Sequence, residues 1–206
     1  MSITEKYDRI AQGFSEHDYA DPKGYSARRA RLIVELGPRL HPGQSVLDLC
    51  CADGIMASPL AAYGLRYRGV DVSEGMIEAA RDRNPGVPFV VARCEDYVPP
   101  EPVDATICLR SFYQPADRVA FFRHVAAYTQ GKFVFDFRPR AHAPGPVLRD
   151  LRVAGFSAIE LRPFFLPQRR RLPHAALPLV DALERAGPPA MLAARLYGRL
   201  FCVAQV

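Results

Sequence analysis

The chain has 206 residues, 49% hydrophobic and 24% charged, which suits one globular domain with a sizeable core and argues against a disordered or fibrous protein. No apolar run reaches the roughly 18 residues that span a bilayer. The first fourteen residues mix both signs of charge without an apolar stretch, so no secretory leader is expected and the expected setting is cytoplasmic. The net charge of +5 comes mostly from arginine; nucleic acid binding needs a clustered basic face rather than a total, so nucleic acid is not an expected partner.

In chain order, 2–14 predicts a short amphipathic helix, with Ile3, Tyr7, Ile10 and Phe14 at helical spacing. A polar loop with an Asp21-Pro22 break follows, then a helix over 26–36 with Ser26 as N-cap and Gly37-Pro38 as its stop. The alternation is regular from there. Strands over 46–49, 67–72, 89–92, 105–109 and 133–137 alternate with helices over 55–63, 73–83, 116–129 and the stretch ending at Ala154. This pattern predicts a Rossmann-like, doubly wound, mainly parallel α/β sheet with helices on both faces. Strands over 156–165 and 196–206 would close it with an antiparallel C-terminal edge strand. The whole of 1–206 reads as a single domain, with 1–36 as a helical cover and 166–195 as a proline-rich helical insertion before the last strand.

The five cysteines form no C-x-x-C pair. They read as reduced, structural thiols, with a vicinal Cys50–Cys51 redox pair as the alternative, and no metal site is expected because zinc ligands usually come in closely spaced pairs.

The organising stretch is Val46-Leu47-Asp48-Leu49-Cys50-Cys51-Ala52-Asp53-Gly54, a buried strand running into a tight turn and a helix. A dinucleotide turn would place glycines at 50, 52 and 55, where Cys50, Ala52 and Ile55 stand, and no lysine-serine or lysine-threonine pair follows as in a P-loop. Val70-Asp71-Val72-Ser73-Glu74-Gly75-Met76 then ends the second strand in a carboxylate. An acid at that distance from the turn suits ribose recognition, since one carboxylate can accept from both hydroxyls.

Residues 46–54 resemble motif I of the class I S-adenosylmethionine-dependent methyltransferases, V-L-D-L-G-C-G-x-G, with Cys50 and Ala52 in place of two glycines. Residues 70–76 resemble the family's V-D-x-S-x-x-M. The resemblance implies S-adenosyl-L-methionine as cofactor and S-adenosyl-L-homocysteine as product. It implies a cofactor site made of Asp48, Cys50, Ala52, Gly54 and Asp71, with Val72 and Met76 along the adenine and ribose. It also places Arg110 and Ser111 where the chain passes the methionine and the methyl group. The third match is the stretch 90–97, where Arg93 replaces the usual adenine-binding acid. Either Glu95 substitutes for that acid, or the adenine rests on the Cys94 backbone and apolar contacts.

Methyl transfer from a sulfonium relies on positioning, and a base is needed only when the acceptor must lose a proton. At the sheet's C-terminal edge Asp136 and His142 are the catalytic candidates, with Tyr113, Arg138 and, from the cover, Tyr19 as substrate-binding candidates. Phe14, Tyr19 and Tyr25 are the aromatics available to close over the cofactor. The family's Asn/Asp-Pro-Pro-aromatic signature for planar amines is replaced by Arg110-Ser111-Phe112-Tyr113. The resemblance therefore implies a small-molecule O, N or C acceptor in secondary or quinone-type metabolism. A non-catalytic binding or regulatory protein with a degenerate turn is the alternative, and an RNA methyltransferase ranks below both. Arg169-Arg170-Arg171 reads first as a solvated loop edge. The leucine-rich stretch after it reads first as packing, with a substrate lid, a homodimer face or a peripheral membrane contact through 166–195 as alternatives.

Overall fold

A computed structural model describes residues 3–206. Seven strands, β1 Ser45–Leu49, β2 Arg66–Asp71, β3 Phe89–Val91, β4 Val103–Cys108, β5 Thr129–Phe137, β6 Ile159–Phe164 and β7 Arg199–Gln205, form one sheet in the order β3-β2-β1-β4-β5-β7-β6. The last strand runs antiparallel, as expected; it inserts between β5 and β6, so β6 takes the edge. The strands are apolar without strict alternation because both faces are covered. Val134 joins the core on one face while Phe133 and Phe135 join the core on the other.

The helices are α1 Ile3–Ile10, α2 Phe14–Asp18, α3 Pro22–Glu35, α4 Ala57–Ala61, α5 Glu74–Arg83, α6 Arg118–Tyr128, α7 Pro144–Val153, α8 Leu177–Glu184 and α9 Pro188–Tyr197. The helix expected over 2–14 ends at Ile10, and a second begins at Phe14 after Gly13, whose φ of 66° is left-handed; Ser2 lies outside the described residues. The second expected helix starts four residues early. Asp21 is its N-cap and accepts from Gly24 N, with Pro22 in the first turn, where proline's missing N–H costs nothing. Ser26 is instead inside the helix, its hydroxyl donating to Pro22 O. β5 begins at Thr129, directly after α6.

Lys132 on β5 is wholly buried, and its ammonium donates to the Leu36 and Val34 carbonyls at the end of α3. Burial pushes it down to about 8. Strand order reverses where β1 lies between β2 and β4, and in open α/β sheets such a switch point opens a crevice beyond the strands' C-terminal ends.

Candidate cofactor and active site

A cavity of about 210 Å³ sits at that switch point, walled by the ends of β1, β2 and β4 and by the N-terminal helices. Its floor is the turn after β1. Cys50 and Ala52 hold φ of 59° and 48°, and Gly54 holds 68°. The turn therefore keeps the left-handed backbone at 50 and 52 without glycine, at a cost of roughly 1–2 kcal/mol for each side chain. Cys50 and Ala52 line the cavity. Gly54 does not: a Cβ there would come within 2.9 Å of Phe89 and Asn84, so its glycine serves packing.

Two carboxylates face this turn. Asp48 is buried, accepts from the Tyr67 hydroxyl at 2.7 Å, and is pushed up to about 7 by burial. Asp71 closes β2 and accepts from Ala52 N at 2.9 Å and Ser73 N at 3.0 Å. Burial raises it, against the pull of those N–H groups. A carboxylate has about four acceptor positions, so Asp71 retains capacity toward the cavity it lines.

Val72, Cys94 and Glu95 line the cavity, as does Arg93, whose guanidinium is paired with Glu95. The neighbouring Cys50 thiol and burial push the Cys94 thiol up, and Cys94 Sγ donates to Glu95 Oε2 at 3.3 Å. All five cysteines are free thiols, and among the described residues no group of three or more histidines, cysteines or acids is set to hold a metal. Met76 is buried and lies off the cavity; its backbone N–H donates to the Ser73 hydroxyl that caps α5.

The cover is tied down by residues that the sequence did not single out. The buried Ser15 donates to Asp53 through both its hydroxyl, at 2.6 Å, and its N–H, at 3.0 Å, while Arg83 bridges Asp53 and Glu16. Asp8 accepts from Ser73 Oγ at 2.5 Å and from Gly75 N, an anion at the N-terminus of α5. Tyr7, Phe14 and Tyr19 line the cavity from this side. Tyr25 is packed between Tyr19 and Phe164 instead. Asp53 occupies the variable position of the motif, which is why no sequence signal marked it.

The catalytic expectation for Asp136 is corrected. Its side chain is fully buried and does not line the cavity. It accepts from Arg110 N at 2.6 Å, from Arg199 at 3.0 Å and from Arg29 at 3.2 Å. Both oxygens are engaged, so Asp136 positions rather than reacts. What it positions is Arg110, a non-glycine residue at φ 65°, whose guanidinium reaches Asp18 and the Tyr19 hydroxyl. Arg29 and Arg110 both line the cavity, and the Nε of each is buried with no partner.

His142 and Arg138 lie off the cavity as well, and Arg138 is exposed. His142 stacks on Tyr113 at 5.3 Å between ring centres, and burial, helped by Arg118, lowers its basicity. Tyr113, Ser111 and Gln114 do line the cavity.

The family model for a methyltransferase domain matches residues 46–131, the segment that builds the turn, both acids and the Arg110 loop. A trans-aconitate 2-methyltransferase of Acidovorax ebreus is 39% identical over 90 residues, 40% of this chain and 34% of that protein. The chain spans about a third of the length of the curated relatives it matches. Among solved structures, a methyltransferase of Haloferax volcanii in complex with a methyltransferase activator superposes with a TM-score of 0.70 at 20% identity, covering 99% of each chain. The magnesium protoporphyrin IX methyltransferase of Synechocystis with bound S-adenosylmethionine gives 0.62 at 19% identity, covering 100% of this chain and 84% of that one. Residues 46–131 thus match the model of a methyltransferase domain, and the whole chain has the Rossmann-like fold of those solved methyltransferases.

Proposed function

We propose that this chain is an enzyme that transfers a methyl group from S-adenosylmethionine to a small-molecule acceptor. The observation that carries this is Asp71, held by Ala52 N against a turn that keeps a glycine-like backbone at Cys50 and Ala52. A decayed turn would have no reason to retain that strain, which weighs against a merely degenerate binding protein.

The donor set fits the cofactor. Asp71 suits the ribose hydroxyls, Val72 and Cys94 the adenine, and Asp48 a neighbouring positive charge. The orphaned Nε of Arg29 suits the methionine carboxylate. Bound there, S-adenosylmethionine supplies an electrophilic methyl group on a positively charged sulfur.

The chain's own residues then orient and desolvate. Tyr7, Phe14 and Tyr19 form the cover's wall and keep water from the reacting groups. Arg110 is fixed through Asp136, Asp18 and Tyr19. The acceptor would enter beside Ser111, Tyr113 and Gln114. For an acceptor that must lose a proton, His142 is a candidate base from outside the cavity wall, stacked on the cavity-lining Tyr113 and with its basicity lowered by burial. We read 1–206 as one domain, with 1–36 as cover and 166–195 as insertion. The five free thiols suit a cytoplasmic setting.

Titration calorimetry with S-adenosylmethionine and S-adenosylhomocysteine tests the reading. Saturable binding, weakened at least tenfold in Asp71→Ala, is the expected result, and no binding of either molecule to the intact chain overturns it. A screen for mass-shifted small molecules in extracts supplied with cofactor then identifies the acceptor.

A further inference from the structure

The segment between β6 and β7 carries a helix built inside out. In a surface helix the apolar stripe faces the protein and the charges face water. In α8 the charges face inward: Glu184 is buried and accepts from Phe165 N and Arg28, and Asp181 pairs with Arg28 and Arg31 of α3. Two of its three leucines face outward. Leu179 is 72% exposed and Leu183, one turn on, is 44% exposed. The next helix repeats the outward leucines. α9 buries Ala190 and Ala194 and exposes Leu192 and Leu196, again one turn apart.

The charge of the segment is as one-sided as its apolarity. Asp181 and Glu184 are the only acids after Glu160, and both are consumed by α3. The exposed charged side chains left are basic: Arg170, Arg171, Arg185 and Arg195, with His174 beside them. Arg169 reaches Asp18 and is set aside.

We infer that α8, α9 and the Arg170–Arg171 loop form a docking face for an anionic lipid surface. Exposed leucines enter the interface while arginines meet lipid phosphates, the combination by which interfacial helices hold a bilayer without crossing it. No helix among the described residues is long and apolar enough to cross one. A second copy of this chain is the poorer occupant, because a two-fold interface places the same patch on both partners and sets arginine against arginine. The inference does not depend on the proposed methyl transfer.

Co-sedimentation of the full chain with vesicles tests it. Vesicles of phosphatidylglycerol mixed with phosphatidylcholine should capture the chain, and phosphatidylcholine alone should not. Arg170→Gln and Arg171→Gln should each lower capture about fivefold, the weight of one basic residue at an anionic leaflet. Leu179→Ser with Leu192→Ser should abolish capture while circular dichroism stays unchanged, since both side chains are solvent-exposed. High salt should release the wild type. Absence of capture by the anionic vesicles overturns the proposal. So does capture that ignores the leucine and arginine replacements. A concentration-dependent dimer that these same replacements dissociate would assign the face to self-association and overturn it too.

Discussion

At the level of single residues, the left-handed turn makes a measurable claim. Ala52 holds φ 48° where the resembling motif has glycine. Relief of the Cβ strain is worth roughly 1–2 kcal/mol, and the added freedom of glycine in the unfolded chain returns about 0.5–1 kcal/mol of that. Ala52→Gly should therefore raise stability by about 1 kcal/mol, or about 2–4 °C in Tm for a chain of this size. A fall in Tm on scanning calorimetry would show that the turn is not strained there. Cys50→Gly is the less clean substitution, because it also removes a side chain from the cavity wall. Asp48 makes a second claim, in pH. Its carboxyl titrates at 3.8 when unperturbed and is pushed up to about 7 in the folded chain. Between those values the folded state keeps a proton that the unfolded state has lost, so this group's contribution to stability falls as pH rises through the window. Above about 7 it carries a buried charge, which Asp48→Asn lacks; that variant should be the more stable one at pH 8 in urea melts. Ionised Asp48 should also attract the positively charged cofactor. Affinity should climb through about pH 7 in the wild type and stay flat in Asp48→Asn, and a flat wild-type profile would remove Asp48 from the cofactor's electrostatics.

At the level of elements, the site depends on contacts that join distant parts of the chain. Asp136 ties β5 to α3 through Arg29, to β7 through Arg199 and to the loop after β4 through Arg110 N. Removing one partner of a buried ion pair costs roughly 3–5 kcal/mol, because the opposite charge is left uncompensated. Asp136→Ala should cost that much in chemical denaturation and loosen the Arg110 loop. A change below about 1 kcal/mol would mean that water replaces the carboxylate. This same residue shows where the sequence stops being readable. The strands were legible because buried parallel strands are continuous apolar runs, Asp71 because it ends such a run at the spacing ribose recognition needs, and Asp48 only through the motif that resembles the family's. Asp136 ends a run in the same way, but its arginines lie 107 and 63 positions away. A carboxylate facing substrate and a carboxylate neutralising buried arginines look alike in one dimension. The Asp53 staple was hidden for the same reason, since Ser15 is 38 residues upstream of it. Helix starts failed locally instead: Asp21-Pro22 reads as a break, yet an aspartate cap followed by proline is a good helix opening.

At the level of the whole molecule, α3 packs on the sheet through Arg29 and the Lys132 contact, while the first two helices reach the segments around the cavity through Asp8 to α5, Ser15 to the turn and Asp18 to the Arg110 loop. The last three contacts all end on segments that face the proposed cofactor, so a ligand there sits between the cover and the sheet and should stabilise both. Ligand binding to the folded state alone adds about 2.7 kcal/mol at a hundredfold excess over Kd. With roughly 2–4 °C per kcal/mol for a chain of this length, saturating S-adenosylhomocysteine should raise Tm by about 5–10 °C. The gain should not be spread evenly. Amide exchange should slow across 3–19, 50–54 and 71–76 and stay unchanged across 169–196, which makes no part of the cavity wall. Asp53→Ala separates the two contributions. It frees Ser15 and Arg83 at a cost of about 1.5–3 kcal/mol, the usual range for hydrogen bonds to a charged group. Exchange in α2 should then speed up in the ligand-free chain, and added ligand should restore much of the lost protection. If protection in α2 is equal with and without ligand in both forms, the cover is a fixed wall and cofactor binding does not act through it.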